Sequence, residues 1–84
     1  MERLNLGIII PAYNEEGSIS KVVERVKDYG KVIVIDDGSC DETASIARNS
    51  GAILYSHKRN LGYDEALNSG FRIAEKNKNK FNVW

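Results

Sequence analysis

The stretch KVIVID, Lys31–Asp36, sets four aliphatic residues in a row with no polar residue among them. A strand with one wet face alternates apolar and polar side chains. An unbroken run needs cover on both faces, as helices on either side of a parallel sheet provide. The chain supplies them. LNLGIIIPAY reads as a strand over residues 4–11, ended by Pro11. Ile19, Val22, Val23 and Val26 then recur at i, i+3, i+4 and i+7, a helical stripe with Gly30 placed to close it. Ser39 and Glu42 form a capping box that starts a second helix, which runs to about residue 49 and stops at Gly51. AILYSH, residues 52–57, reads as a third strand. GYDEALNSGFRIAEKN follows as a third helix, pairing Leu67 with Phe71 and Ala66 with Ile73, and FNVW opens a fourth strand.

Alternating strands and helices imply right-handed βαβ crossovers. The expected fold is α/β, a three-layer αβα arrangement around a parallel sheet of about four strands in the order 3-2-1-4. The 84 residues make a single domain, residues 1–84, with a thin core, since a chain this short buries only about 60–65% of its unfolded surface. Twelve basic and twelve acidic residues cancel, which argues against nucleic acid as a partner. The single Cys40 rules out an internal disulfide and suits a reducing cytoplasmic setting. The apolar run at residues 6–11 is too short for a secretory signal, and no run nears the roughly 18 apolar residues of a membrane span. EKNKNK, residues 75–80, reads as a solvated helix end.

This topology puts the strand-to-helix loops PAYNEEG, DDGSCD and HKRNLGY on the carboxyl edge of the sheet, where open α/β sheets bind ligands. Neither G-x-G-x-x-G nor G-x-x-x-x-G-K-[ST] occurs, so a dinucleotide site and a P-loop are unsupported. Asp36, Asp37 and Asp41 already bring anions to the second helix start. That loop therefore suits hydrogen-bond donors or a metal better than phosphate. An ordinary turn with helix capping also accounts for part of it. Tyr13 can stack a flat base and Glu15 can accept at a base edge; a packed Tyr13 and a dipole-favoured Glu15 are the plainer alternatives. Lys58 and Arg59 can meet a diphosphate or simply be surface charge. His57 has no Cys or His at ligand spacing.

The segments IIIPAYNEEGSI, VIVIDDGSCDETASIA and KRNLGYDEALNSGF together resemble the amino-terminal half of the family 2 glycosyltransferases. The closest look is to the polyprenyl-phosphate sugar transferases of the dolichol-phosphate mannose synthase type, over residues 6–84. The resemblance implies the amino-terminal portion of a nucleotide-diphospho-sugar transferase fold. It also implies inverting transfer of a sugar from a nucleotide-diphospho-sugar, with a lipid phosphate as acceptor in that subgroup. On the same basis Pro11, Ala12, Tyr13 and Glu15 match the first nucleotide-contacting loop. Asp36 and Asp37 match the acidic pair that holds base and ribose, whose donors would offset the repulsion of the two acids. Asn60, Leu61 and Gly62 match a loop beside the nucleotide. Asp64 departs from the pattern, standing where the family often has the second glycine of Gly-Tyr-Gly.

The divalent metal of the family, Mg or Mn, is held by an Asp-x-Asp motif at the end of the fourth strand, expected beyond residue 84. No catalytic residue and no metal ligand is assigned within the chain, which is expected to hold the nucleotide-binding half and to be inactive alone. The full-length form is expected at the cytoplasmic face of a membrane. An open sheet edge carrying Phe81, Val83 and Trp84 predicts self-association. Two other classes stay open: a non-catalytic nucleotide-binding module, and a phospho-receiver-like domain. The latter needs an Asp at the end of a later strand, where this chain has YSHKRN.

Overall fold

The computed structural model describes residues 6–76 and 82–83. Odd and even positions of β2 (Lys31–Asp36) face opposite layers, and beyond the exposed Lys31 both sets are buried. Val32 and Val34 pack with Ile19 and Val23 of α1 (Ile19–Val26), Ala47 of α2 (Thr43–Asn49), Ala12 and Ala52. Ile33 and Ile35 pack on the other side with Ala66 and Ala74 of α3 (Tyr63–Lys76), joined by Ile9 and Ile73. The continuous aliphatic run is thus explained by a sheet covered on both faces.

Flanking β2 are β1 (Leu6–Ala12) and β3 (Ile53–Ser56), and the short β4 (Asn82–Val83) joins the far side of β1. All pairings are parallel, in the order β3-β2-β1-β4. Ala12 is level with Asp36, and Asp36 with Ser56. The loops after β1, β2 and β3 therefore leave from adjacent points on one edge. No helix among the described residues is long and apolar enough to cross a membrane. Phe81, Trp84 and residues 77–80 lie outside the described residues, as do the side chains of Leu6, Asn82 and Val83.

Several local expectations are corrected. Pro11 does not end β1, which continues to Ala12. The Ala12 carbonyl accepts from Asp37 N–H at 2.8 Å across the β1–β2 seam. Amide groups alternate direction along a strand, so the donor Pro11 lacks would point to the other side, where, among the described residues, β4 pairs with Leu6 and Gly7. Gly30 does not close α1, which ends at Val26 four residues earlier. Val22 leaves the buried stripe and is 39% exposed. Ser39 does not cap α2: the helix begins at Thr43, whose N–H donates to Asp41 Oδ1 at 3.0 Å. Gly51 does follow that helix at φ +100°, a left-handed position suited to glycine.

On α3 the buried residues are Ala66, Gly70 and Ala74, while Phe71 is 46% exposed. The reason is proximity. A Cβ on Gly70 would lie 2.4 Å from Ile9 Cγ2, so α3 rides too close to β1 for large side chains.

Candidate functional site

A cavity of about 550 Å³ opens at the carboxyl edge of the sheet. Its lining residues are Pro11, Ala12, Tyr13 and Glu15 after β1, Asp37 after β2, Asn60 and Gly62 before α3, and Tyr63 and Ala66 in α3. Of the nine residues matched above to the nucleotide-contacting segments, seven fall in it; Asp36 and Leu61 do not line it. Lys58 and Arg59, the candidate diphosphate contacts, are exposed and do not line the cavity. Tyr63 and Ala66 are additions that sequence reasoning missed. The signal for Tyr63 was its place directly after Gly62 at the helix start.

Tyr13 is 45% exposed, so it is not a packed core residue and its ring is available to a ligand. The first loop is held by the second, side chain to backbone. Asn14 N–H donates to Ser39 Oγ at 2.9 Å, Glu15 N–H to Thr43 Oγ1 at 2.8 Å and Glu16 N–H to Asp41 Oδ2 at 3.3 Å. In return Asn14 Oδ1 accepts from Cys40 N–H at 2.9 Å, and Asn14 takes φ +53°, which asparagine tolerates better than most residues. These donors are occupied, so this turn presents no cradle for phosphate. The Thr43 contact lowers the Asp41 pKa most, burial opposes it, and the balance leaves the carboxyl below its usual value.

The two acids are satisfied from within the chain. Asp36 Oδ1 accepts from Ser39 N–H at 3.2 Å, so this carboxylate belongs to the turn. Asp37 is 3% exposed and ties the third loop down. Its Oδ1 lies 2.7 Å from His57 Nδ1 and accepts from Leu61 N–H at 2.9 Å. Its Oδ2 accepts from Asn60 Nδ2 at 3.0 Å and from Gly62 N–H at 2.9 Å. The chain's own donors thus offset the repulsion at Asp37, while Asp36 Oδ1 is bonded within its own turn. Burial pushes the Asp37 carboxyl up, but hydrogen bonds from His57, Leu61 and Gly62 outweigh it, and the net effect is downward.

Gly38 lets the second and third loops meet. It sits at φ +74°, and a Cβ there would fall 2.3 Å from the Arg59 carbonyl carbon. Asp64, the departure from the glycine pattern, is an acid in the first turn of α3, where the helix dipole favours it. Among the described residues no group of three or more His, Cys, Asp or Glu is placed to hold a metal ion.

The model of glycosyl transferase family 2 matches residues 7–77. MJ1222, an uncharacterised protein of Methanocaldococcus jannaschii, is 38% identical over 69 residues, covering 80% of this chain and 28% of that protein. An undecaprenyl-phosphate 4-deoxy-4-formamido-L-arabinose transferase of Pectobacterium carotovorum is 32% identical over 83 residues, covering 83% of this chain and 25% of its own length. Among solved structures, the mannosyltransferase PcManGT of Pyrobaculum calidifontis, in complex with GDP-Man and Mn2+, superposes with a TM-score of 0.75 at 28% identity. That match covers 88% of this chain and 25% of the other. Glucosyl-3-phosphoglycerate synthase of Mycobacterium tuberculosis with UDP superposes with a TM-score of 0.67 at 31% identity, covering 77% of this chain and 27% of the other. The chain spans about a quarter of the length of these relatives.

Proposed function

The chain belongs to glycosyl transferase family 2, and from that premise we propose that its cavity seats the nucleoside end of a nucleotide-diphospho-sugar, the donor in an inverting glycosyl transfer. The observation that carries the reading is convergence. Tyr13 and Glu15, Asp37, and Asn60 with Gly62 come from three separate loops and line one cavity. Tyr13 supplies a ring for a base to stack on, and Glu15 an acceptor for base or ribose donors. Pro11 and Ala12 form the apolar floor at the strand end. Asp36 and Asp37 act mainly by fixing the loops that shape the seat.

Solved relatives hold GDP-Man or UDP with Mn2+ or alone, which supports a nucleotide-sugar donor and a divalent cation, Mg or Mn, for the complete reaction. The described residues offer no group of three or more His, Cys, Asp or Glu for that cation. A lipid-phosphate acceptor follows the undecaprenyl-phosphate chemistry in the relative's name. It would put the reaction at the cytoplasmic face of a membrane. Self-association through the open sheet edge at Phe81, Val83 and Trp84, whose side chains lie outside the described residues, stays an expectation. A single monomeric boundary in sedimentation velocity at high concentration would contradict it.

Isothermal titration with uridine and guanosine diphosphates, with and without manganese, tests the seat. Saturable binding of at least one is expected, and Tyr13→Ala should weaken it about tenfold by removing base stacking. Binding that is unchanged by Tyr13→Ala, or absent with both nucleotides, would overturn the reading.

A further inference from the structure

Behind the cavity wall a line of hydrogen bonds runs from Asp37 to α3 through His57, Ser69 and Arg72, none of which touches the cavity. His57 follows β3, and its backbone N–H donates to Asp36 O at 2.8 Å, which sets where the ring begins. The side chain is 14% exposed and does not line the cavity. Ring Nδ1 lies 2.7 Å from Asp37 Oδ1 and ring Nε2 2.7 Å from Ser69 Oγ. Arg72 Nη2 donates to the same Ser69 oxygen at 3.1 Å.

The direction of this line follows from what each group can donate. An ionised carboxylate only accepts, so Nδ1 carries a proton. In a ring protonated on Nδ1 alone, Nε2 is an acceptor, and the Ser69 hydroxyl, which accepts from Arg72, donates to it. Arg72 then donates to Ser69, Ser69 to His57 and His57 to Asp37, which only accepts. At the end of the line Asp37 has room for about four donors, and four are present: His57, Asn60, Leu61 and Gly62. Two are backbone N–H groups of the loop that forms the cavity wall. The orientation of one carboxylate therefore decides where that wall stands.

We propose that His57 is a positioning residue for this site: braced on Ser69, its imidazole aims the Asp37 carboxylate so that residues 60–62 stand as the wall against which a nucleoside diphosphate binds. The proposal deepens the reading of the cavity as a nucleotide seat and rests on it. His57 touches no ligand and acts through Asp37.

Three measurements on the 84-residue protein test it. In nitrogen-15 NMR the neutral ring should carry its proton on Nδ1, the tautomer less common in free histidine; a proton on Nε2 overturns the proposal. His57→Phe should weaken binding of uridine or guanosine diphosphate about tenfold through loss of a charge-assisted hydrogen bond. His57→Asn, which keeps a donor near the Nδ1 position, should regain most of that affinity. Equal losses in both variants, or none in His57→Phe, overturn the proposal. Amide exchange serves as the third readout and needs no ligand. His57→Phe should speed exchange at Leu61 and Gly62 by about tenfold while α1 and β2 stay protected, and unchanged exchange there sinks it. Should the unaltered protein bind neither nucleotide, the proposed function falls, and the tautomer and exchange results still decide the role of His57.

Discussion

At the residue scale, Asp37 concentrates the most consequence. Its folded pKa lies below the ordinary aspartate value. Its stabilising contribution is therefore full above that ordinary value and is lost as pH falls through the lower folded value. Denaturant midpoints measured downward from neutrality should hold until about pH 4–5 and then fall. Asp37→Asn should flatten that acid limb only in part, since Asp41 is lowered as well. At neutral pH the same substitution should cost about 2–3 kcal/mol, because donors to a buried carboxylate lose a charged acceptor. Gly38→Ala should cost about 2 kcal/mol or more, as it forces a non-glycine into positive φ against the backbone of the third loop. The sequence announced the acidic pair but not which acid would do which work. Asp36 turns to its own loop and Asp37 to one more than twenty residues away, a difference set by the sheet register rather than by neighbouring residues.

At the scale of elements, α3 is the instructive case. Its periodicity suggested two pairs, Leu67 with Phe71 and Ala66 with Ile73; the second lies on the buried side, where Ala66, Gly70 and Ala74 face the sheet, while Phe71 is exposed. Both stripes exist on one helix, and hydropathy favours the larger side chains. What decides is the close approach of α3 to β1, visible only once the two are packed. Gly70→Ala tests this. Helix propensity alone would make it stabilising by about 1 kcal/mol, whereas the contact with Ile9 Cγ2 should make it destabilising by about 1–2 kcal/mol. Gly70→Val should cost more. Thermal melts of the two variants beside the unaltered chain would separate these outcomes, and a raised melting temperature for Gly70→Ala would refute the packing account. The start of α2 teaches a similar lesson: Ser39 and Glu42 have capping-box spacing, but Asn14 from the first loop takes Ser39, and Asp41 serves Thr43 instead.

For the whole molecule, the three loops of the carboxyl edge form one connected body. The first is pinned to the second through Ser39, Thr43 and Asp41. The second is pinned to the third through Asp37 and Gly38. A seat built this way should be largely formed before ligand arrives, so nucleotide binding should leave amide exchange in β1 and β2 nearly unchanged. The chain spans about a quarter of its relatives' length, and glycosyl transfer by these 84 residues alone is expected to be undetectable. A turnover assay with nucleotide-sugar, lipid phosphate and manganese checks this, and product above background would contradict it.

Taken by itself, the amino-acid order determined the layered parallel architecture, because an aliphatic run such as VIVI has few other ways to bury both faces. It also determined which loops share an edge, since strand direction follows from the crossovers. Only the tertiary structure decided which stripe of α3 is buried, which carboxylate ties the loops together, and that His57 stands between Asp37 and Ser69. Those outcomes depend on distances between segments far apart in the chain, which appear only when the helices settle onto the sheet.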